Sequence, residues 1–133
     1  MFCKKNRLCL LIAFFSLFMV CSANAIEDIA SIAVAANGSQ ADSMVSEKSG
    51  RAAHFLFFDG SGNFMKAEKN PFADAARKAG PKVAFFLQAK GVTLVVAGEF
   101  GTKMEGALNS YNIRYVLRTG VAHEVVQALI EEK

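Results

Sequence analysis

The apolar and polar positions of this chain switch between two periods, and the switches mark out its elements. Residues 29–36 read IASIAVAA, a continuous apolar run with small side chains. Such a run predicts a central strand covered by helices on both faces. Asn37-Gly38 ends it with a turn. Residues 39–49 are mostly small and polar and predict a long loop, with a short extended piece at Met44-Val45. Long loops in small domains commonly carry function. Residues 54–59 (HFLFFD) form the next strand by aromatic content, Gly60-Ser61-Gly62 turns it, and residues 63–69 alternate well enough to return as a hairpin. Asn70-Pro71 stops that strand. Residues 72–79 are Ala-rich, with room for one helical turn before Gly80-Pro81 breaks it. Pro81 suits the first position of a helix, where its missing N–H costs nothing. Val83, Phe86 and Leu87 then give an i, i+3, i+4 stripe, and Gly91 suits the C-terminal cap.

Residues 91–108 (GVTLVVAGEFGTKMEGAL) are the centre of the pattern. The β-branched run from Val92 to Ala97 predicts a strand buried on both faces, followed by the turn Gly98-Glu99-Phe100-Gly101 and an amphipathic helix. Thr102 and Glu105 stand three apart, the spacing of a reciprocal capping box. Met104, Ala107, Leu108 and Tyr111 line one face of that helix. Residues 113–117 (IRYVL) give another short strand, and Thr119-Gly120 leads into a last helix with Val121, Val125, Ala128 and Leu129 facing inward. The order is strand, hairpin, helix, strand, helix, strand, helix. It predicts an α/β sandwich with a mixed sheet, its parallel strands flanked by one antiparallel edge. The turn at residues 98–101 falls at the carboxyl end of a strand, where open α/β sheets bind ligands.

Residues 1–25 change how the composition is read. Lys4, Lys5 and Arg7 precede an apolar run from Leu8 to Val20, and Ala23-Asn24-Ala25 supplies the small-x-small pattern of signal-peptidase cleavage. Thirteen helical residues rise about 20 Å, short of a hydrocarbon core of ~30 Å. The expectation is a signal peptide over residues 1–25 cleaved after Ala25, with Ala23 and Ala25 as the recognition pair. A single domain would follow over residues 26–133, periplasmic or secreted, without a stable membrane anchor. Cys3, Cys9 and Cys21 all leave with the signal segment, so the domain has no disulfide and no thiolate ligand. The chain carries a net charge of +3, and Lys4, Lys5 and Arg7 account for all of it. The domain is therefore neutral, which argues against nucleic acid as a partner.

The chemistry-bearing residues are few. His54 opens a strand beside the polar loop, where its imidazole either meets a metal at a site mouth or packs against the core edge. His123 falls on the polar face of the last helix. Two histidines without cysteine do not make a zinc site, which takes three or four protein ligands. The run Ser46-Glu47-Lys48-Ser49-Gly50-Arg51 gathers two cations, hydroxyls and a glycine, suiting either an anionic ligand on the Arg51 fork or a solvated loop. Gly98, Gly101 and Thr102 present a helix N-terminus in the manner of anion sites, but the spacing is not that of a nucleotide loop and Glu99 would repel phosphate. No G-x-S-x-G element and no serine partnered with histidine and acid is present in the sequence, so catalysis finds no footing.

Several strings, in order and with suitable spacing, carry a family resemblance. They are Ile32-Ala33-Val34-Ala35, Val45-Ser46-Glu47, Gly50-Arg51-Ala52, Phe55-x-x-Phe58-Asp59, Asn70-Pro71, Gly80-Pro81, Gly91-Val92, Ala97-Gly98-Glu99-Phe100-Gly101 and Gly120-Val121. Together they resemble the dinitrogenase iron–molybdenum cofactor biosynthesis domain of NifX-type carriers and the NifB tail. The resemblance implies a ribonuclease-H-like, three-layer α/β fold without nuclease activity, its mixed sheet having about five strands with helices on both faces. It also implies a non-enzymatic role in holding and passing on iron–sulfur or iron–molybdenum clusters. Lys48-Ser49 stand where family members read His-Phe, which removes one imidazole. The expected ligand-binding set is Lys48, Ser49, Arg51, His54, Gly98, Gly101 and Thr102, with His54 as the one candidate metal ligand. Loops 42–51 and 72–80 and the turn 98–102 would enclose a metallocluster or small anion. The other expectation is an interaction domain that keeps the fold, has lost its ligand, and binds an exported protein partner.

Overall fold

The computed structural model describes residues 31–132. The expected signal peptide over residues 1–25, with Ala23 and Ala25, lies outside the described residues. Five strands form one sheet: β1 (Ile32–Ala36), β2 (His54–Phe58), β3 (Phe64–Lys69), β4 (Leu94–Ala97) and β5 (Arg114–Leu117). Their spatial order is β3-β2-β1-β4-β5. β1 pairs parallel with β4 and β4 with β5, while the β2–β3 hairpin joins antiparallel to β1. Three helices cover it: α1 (Ala79–Ala89), α2 (Thr102–Ser110) and α3 (Ala122–Glu131). This is the three-layer mixed α/β architecture that the element order and the resemblance imply.

Strand parity explains why β1 is apolar throughout. All five of its residues are buried because both faces are covered. Ala33 and Ala35 face one layer with Phe55, Phe57, Val95, Val83, Leu87, Met104 and Leu108, so α1 and α2 lie on that side. Ile32, Val34 and Ala36 face the other with Leu56, Phe58, Val96, Ala122 and Val126, which is the α3 side. Phenylalanines on β2 fill the space that the β1 alanines leave. Each fully buried aromatic contributes about 1.5–3 kcal/mol of transfer free energy. The hairpin edge β3 carries Lys66, Glu68 and Lys69, charges that discourage further strand pairing.

Four local expectations are corrected. Residues 72–78 form irregular turns, with Ala73 N–H on Asn70 O and Ala75 N–H on Phe72 O, in place of a helical turn. α1 starts at Ala79, which makes Pro81 its third residue; the first turn still has no acceptor for the missing N–H. The Thr102–Glu105 capping box does not form, because Gly101 is the N-cap and Thr102 is already helical. In α3, Ala128 is exposed, and the buried stripe is Ala122, Val125 and Val126, with Leu129 partly buried.

Candidate anion-binding cleft

The carboxyl ends of β1 and β4 and the N-termini of α1 and α2 meet at one edge of the sheet. After β1 the chain loops away and returns through Val45, which bridges Ala36. Ser46 N–H then donates to Ala35 O at 2.7 Å, and Gly98 N–H donates to Ser46 O at 2.9 Å. The 46–51 loop thus runs alongside the end of β4, with Lys48 bridging Glu99. Glycine is needed at 98, since a Cβ there would lie 3.0 Å from the Glu47 Cα. It is needed again at Gly80, where a Cβ would lie 2.8 Å from that of Met104. That second contact draws the two helix N-termini together.

Between these walls lies an open cleft of about 620 Å³. Lys48, Ser49 and Arg51 line one side, Lys78 to Pro81 the second, and Glu99 to Met104 the third. Four cations (Lys48, Arg51, Lys78 and Lys103) therefore face a single lining carboxylate, Glu99. Neither α1 nor α2 has a side-chain cap at its N-terminus. Both helix starts line the cleft, so the positive ends of their dipoles border it, a setting that favours anions. Ser49 is only 3% exposed, and its hydroxyl donates to Met104 Sδ at 3.2 Å, a weak acceptor. Arg51 Nη1 donates to the carbonyls of Ala75 at 2.7 Å and Ala73 at 3.3 Å, pinning the 72–78 segment as the outer wall. Asn70 secures the base of that segment through Gly50 O and Ala52 O.

The structure brings Lys48, Ser49, Arg51, Gly101 and Thr102 together as cleft lining. Gly98 is outside the lining and acts as the close-approach point that seats the 46–51 loop. His54 is elsewhere. It shares strand parity with Leu56 and Phe58, so its ring belongs to the α3 face, across the sheet from the cleft. Its Nδ1 is buried with no hydrogen-bond partner among the described residues. Pleat parity thus sets His54 apart from the residues that line the cleft. Among the described residues no group of three or more His, Cys, Asp or Glu could hold a metal ion. Lys78 and Lys103 are cleft residues outside the expected ligand-binding set. The signal for Lys103 was a cation in the first turn after Gly101, whereas no residue pattern singles out Lys78.

Comparison with solved structures gives the same architecture. A putative NifB protein from Thermotoga is 32% identical, with a TM-score of 0.65 over 77% of this chain and 88% of that one. The apo form of the orange protein from Desulfovibrio gigas is 26% identical, with a TM-score of 0.73 over 77% and 88% of the two chains. A putative dinitrogenase from Methanocaldococcus jannaschii, 12% identical with a TM-score of 0.53 over 77% and 88%, shares the fold alone. Comparison with curated proteins gives no match. The family model for dinitrogenase iron-molybdenum cofactor matches residues 30–132, and the chain belongs to that family.

Proposed function

We propose that this protein is an exported, non-enzymatic carrier that holds an anionic metallocluster in the cleft between α1 and α2, an iron–sulfur or iron–molybdenum species being the cargo that the family suggests. The observation that carries this reading is the convergence of two helix N-termini without side-chain caps and four cations on one cleft lined by a single carboxylate. The donor set suits cargo that arrives with its own sulfide ligands. Backbone N–H groups, ammonium groups and the Arg51 guanidinium recognise an anion's outer atoms and leave its metal ligands intact. Cleavage after Ala25 would deliver the domain of residues 26–133 outside the cytoplasm.

The test is uptake of iron and molybdenum by the purified domain after anaerobic incubation with iron(II), molybdate and sulfide. Elemental analysis and absorption above ~300 nm after gel filtration would be the readouts. The expected result is bound metal in the wild type, with half-saturation raised roughly tenfold in the Lys48→Ala/Lys103→Ala double variant. Uptake no greater than that of a variant with residues 46–51 scrambled would sink the proposal. The interaction-domain alternative draws on Phe85 and Tyr111, which are 58% and 37% exposed with ring centroids 6.4 Å apart. Co-purification with one fixed exported partner, free of metal, would favour it.

A further inference from the structure

Two residues other than glycine have positive φ among the described residues, Asn112 at 61° and Lys78 at 59°. Asn112, two residues beyond α2, is the residue type that enters the left-handed region most readily. Lys78 is not. It is the N-cap of α1, at φ 59° and ψ 34°, where an L residue with an ordinary side chain is strained. It also lacks the short polar side chain favoured at an N-cap, and it makes no side-chain capping bond. Its charge has the wrong sign for the positive end of a helix dipole, and the first turn of α1 has no acidic residue to offset it. No carboxylate pairs with its ammonium group among the described residues. Every local preference is against a lysine at this position.

The cleft accounts for it. Lys78 lines the cleft together with Lys48, Arg51 and Lys103, and buried Ser49 on the facing wall has only a thioether as hydrogen-bond acceptor. We infer that Lys78 is an anion-contacting residue of the cleft, held in a left-handed N-cap at the expense of the fold's own stability. The inference rests on the carrier reading and extends it: ligand binding relieves a conflict built into the start of α1. An anion there supplies the negative charge that the helix end lacks and gives the ammonium group a partner.

Lys78→Gly removes both the strain and the charge, and the two halves of the inference are read separately from Tm and from uptake. The variant is expected to raise Tm by roughly 4–8 °C without ligand. It is also expected to raise the half-saturation for iron and molybdenum about tenfold, with iron(II), molybdate and sulfide as the probe. Lys78→Arg, which keeps charge and strain, should leave Tm unchanged and retain uptake. Unchanged uptake in Lys78→Gly, or an equal loss in Lys78→Arg, overturns the inference. If Lys48→Ala/Lys103→Ala weakens uptake while Lys78→Gly does not, only the role of Lys78 falls. If the wild type takes up no more metal than the scrambled-loop control, the carrier reading falls and this inference with it.

Discussion

The N-terminus of α3 and those of α1 and α2 pose the same physical problem and receive opposite solutions. Every helix start leaves backbone N–H groups without an intrahelical acceptor. In α3 the chain supplies acceptors: Ala122 N–H donates to Ser43 O at 2.8 Å and His123 N–H to Ala41 O at 3.0 Å. A first-turn acid does not make the difference, since Glu124 in α3 is matched by Glu105 in α2. In α1 and α2 no side chain caps the start, the N-caps are Lys78 and Gly101, and both ends open onto the cleft. The long polar loop after β1 is divided accordingly. Its first half closes α3, and its second half, residues 46–51, forms a wall of the cleft. Closing a helix end within the chain serves stability; leaving two open beside cations prepares them for an external anion.

The strongest way to break this contrast is to give α2 a cap of its own. Gly101 has φ −75° and ψ 152°, ordinary extended backbone, and a Cβ there would meet nothing within 4 Å. Gly101→Asp would accept a bond from the first turn of α2, a gain of a few tenths of a kcal/mol over glycine. It would also place a carboxylate in the anion's space. The expected outcome is an unchanged or slightly raised Tm with metal uptake reduced by one to two orders of magnitude, since an unpaired like charge at a charge-assisted site costs about 1.5–3 kcal/mol. Full uptake by a folded Gly101→Asp protein would mean that the α2 terminus does not face the ligand.

The converse change weakens the closed end. Ser43 Oγ accepts the Gln40 N–H at 3.0 Å, holding the turn that presents the Ala41 and Ser43 carbonyls to α3. Ser43→Ala is expected to lower stability by about 0.5–1 kcal/mol, read from the denaturation midpoint, and to leave metal uptake as in the wild type. A matching loss of uptake would tie the two halves of the loop together and blur the division drawn above.

The sequence carried most of the fold because the decisive signals are periodic. The unbroken apolar run of β1, the aromatic run of β2 and the stripe of α1 each follow from which faces are covered. Rotation and start points were less legible, since tertiary contacts set them. α3 turns Ala128 outward because its start is fixed by the 41–43 loop. α2 starts at Thr102 behind a turn anchored by buried Phe100, whose ring is 5.0 Å from that of Tyr115. For the cleft, the lysine and arginine of the 46–51 loop could be found by composition. Lys78 could not, because its significance depends on a backbone angle that no residue pattern encodes. His54 shows a related limit: proximity to the polar loop along the chain says nothing about which sheet face its side chain takes.

The other end of α1 gives the smallest effect and the cleanest control. There Lys90, the C-cap residue, meets Glu68 of β3 at 2.8 Å, and Lys66 meets the same oxygen at 2.9 Å. A cation at a helix C-terminus complements the dipole, so here, unlike at Lys78, local electrostatics and sequence agree. Hydrogen bonds from Lys90 and then Lys66 hold the Glu68 carboxyl below its ordinary value of 4.5. A carboxyl with a depressed folded-state pKa adds stability that is present above the unfolded value and lost as pH falls through the folded one. The cluster lies at the surface, with Glu68 half-buried and Lys66 exposed, so solvent screening keeps the contribution to no more than a few tenths of a kcal/mol. Glu68→Gln should therefore lower the denaturation midpoint slightly at pH 7, match the wild type near pH 3, and leave metal uptake untouched. If uptake instead falls with Glu68→Gln, charge anywhere on α1 influences binding, and the special standing of its N-terminus is lost.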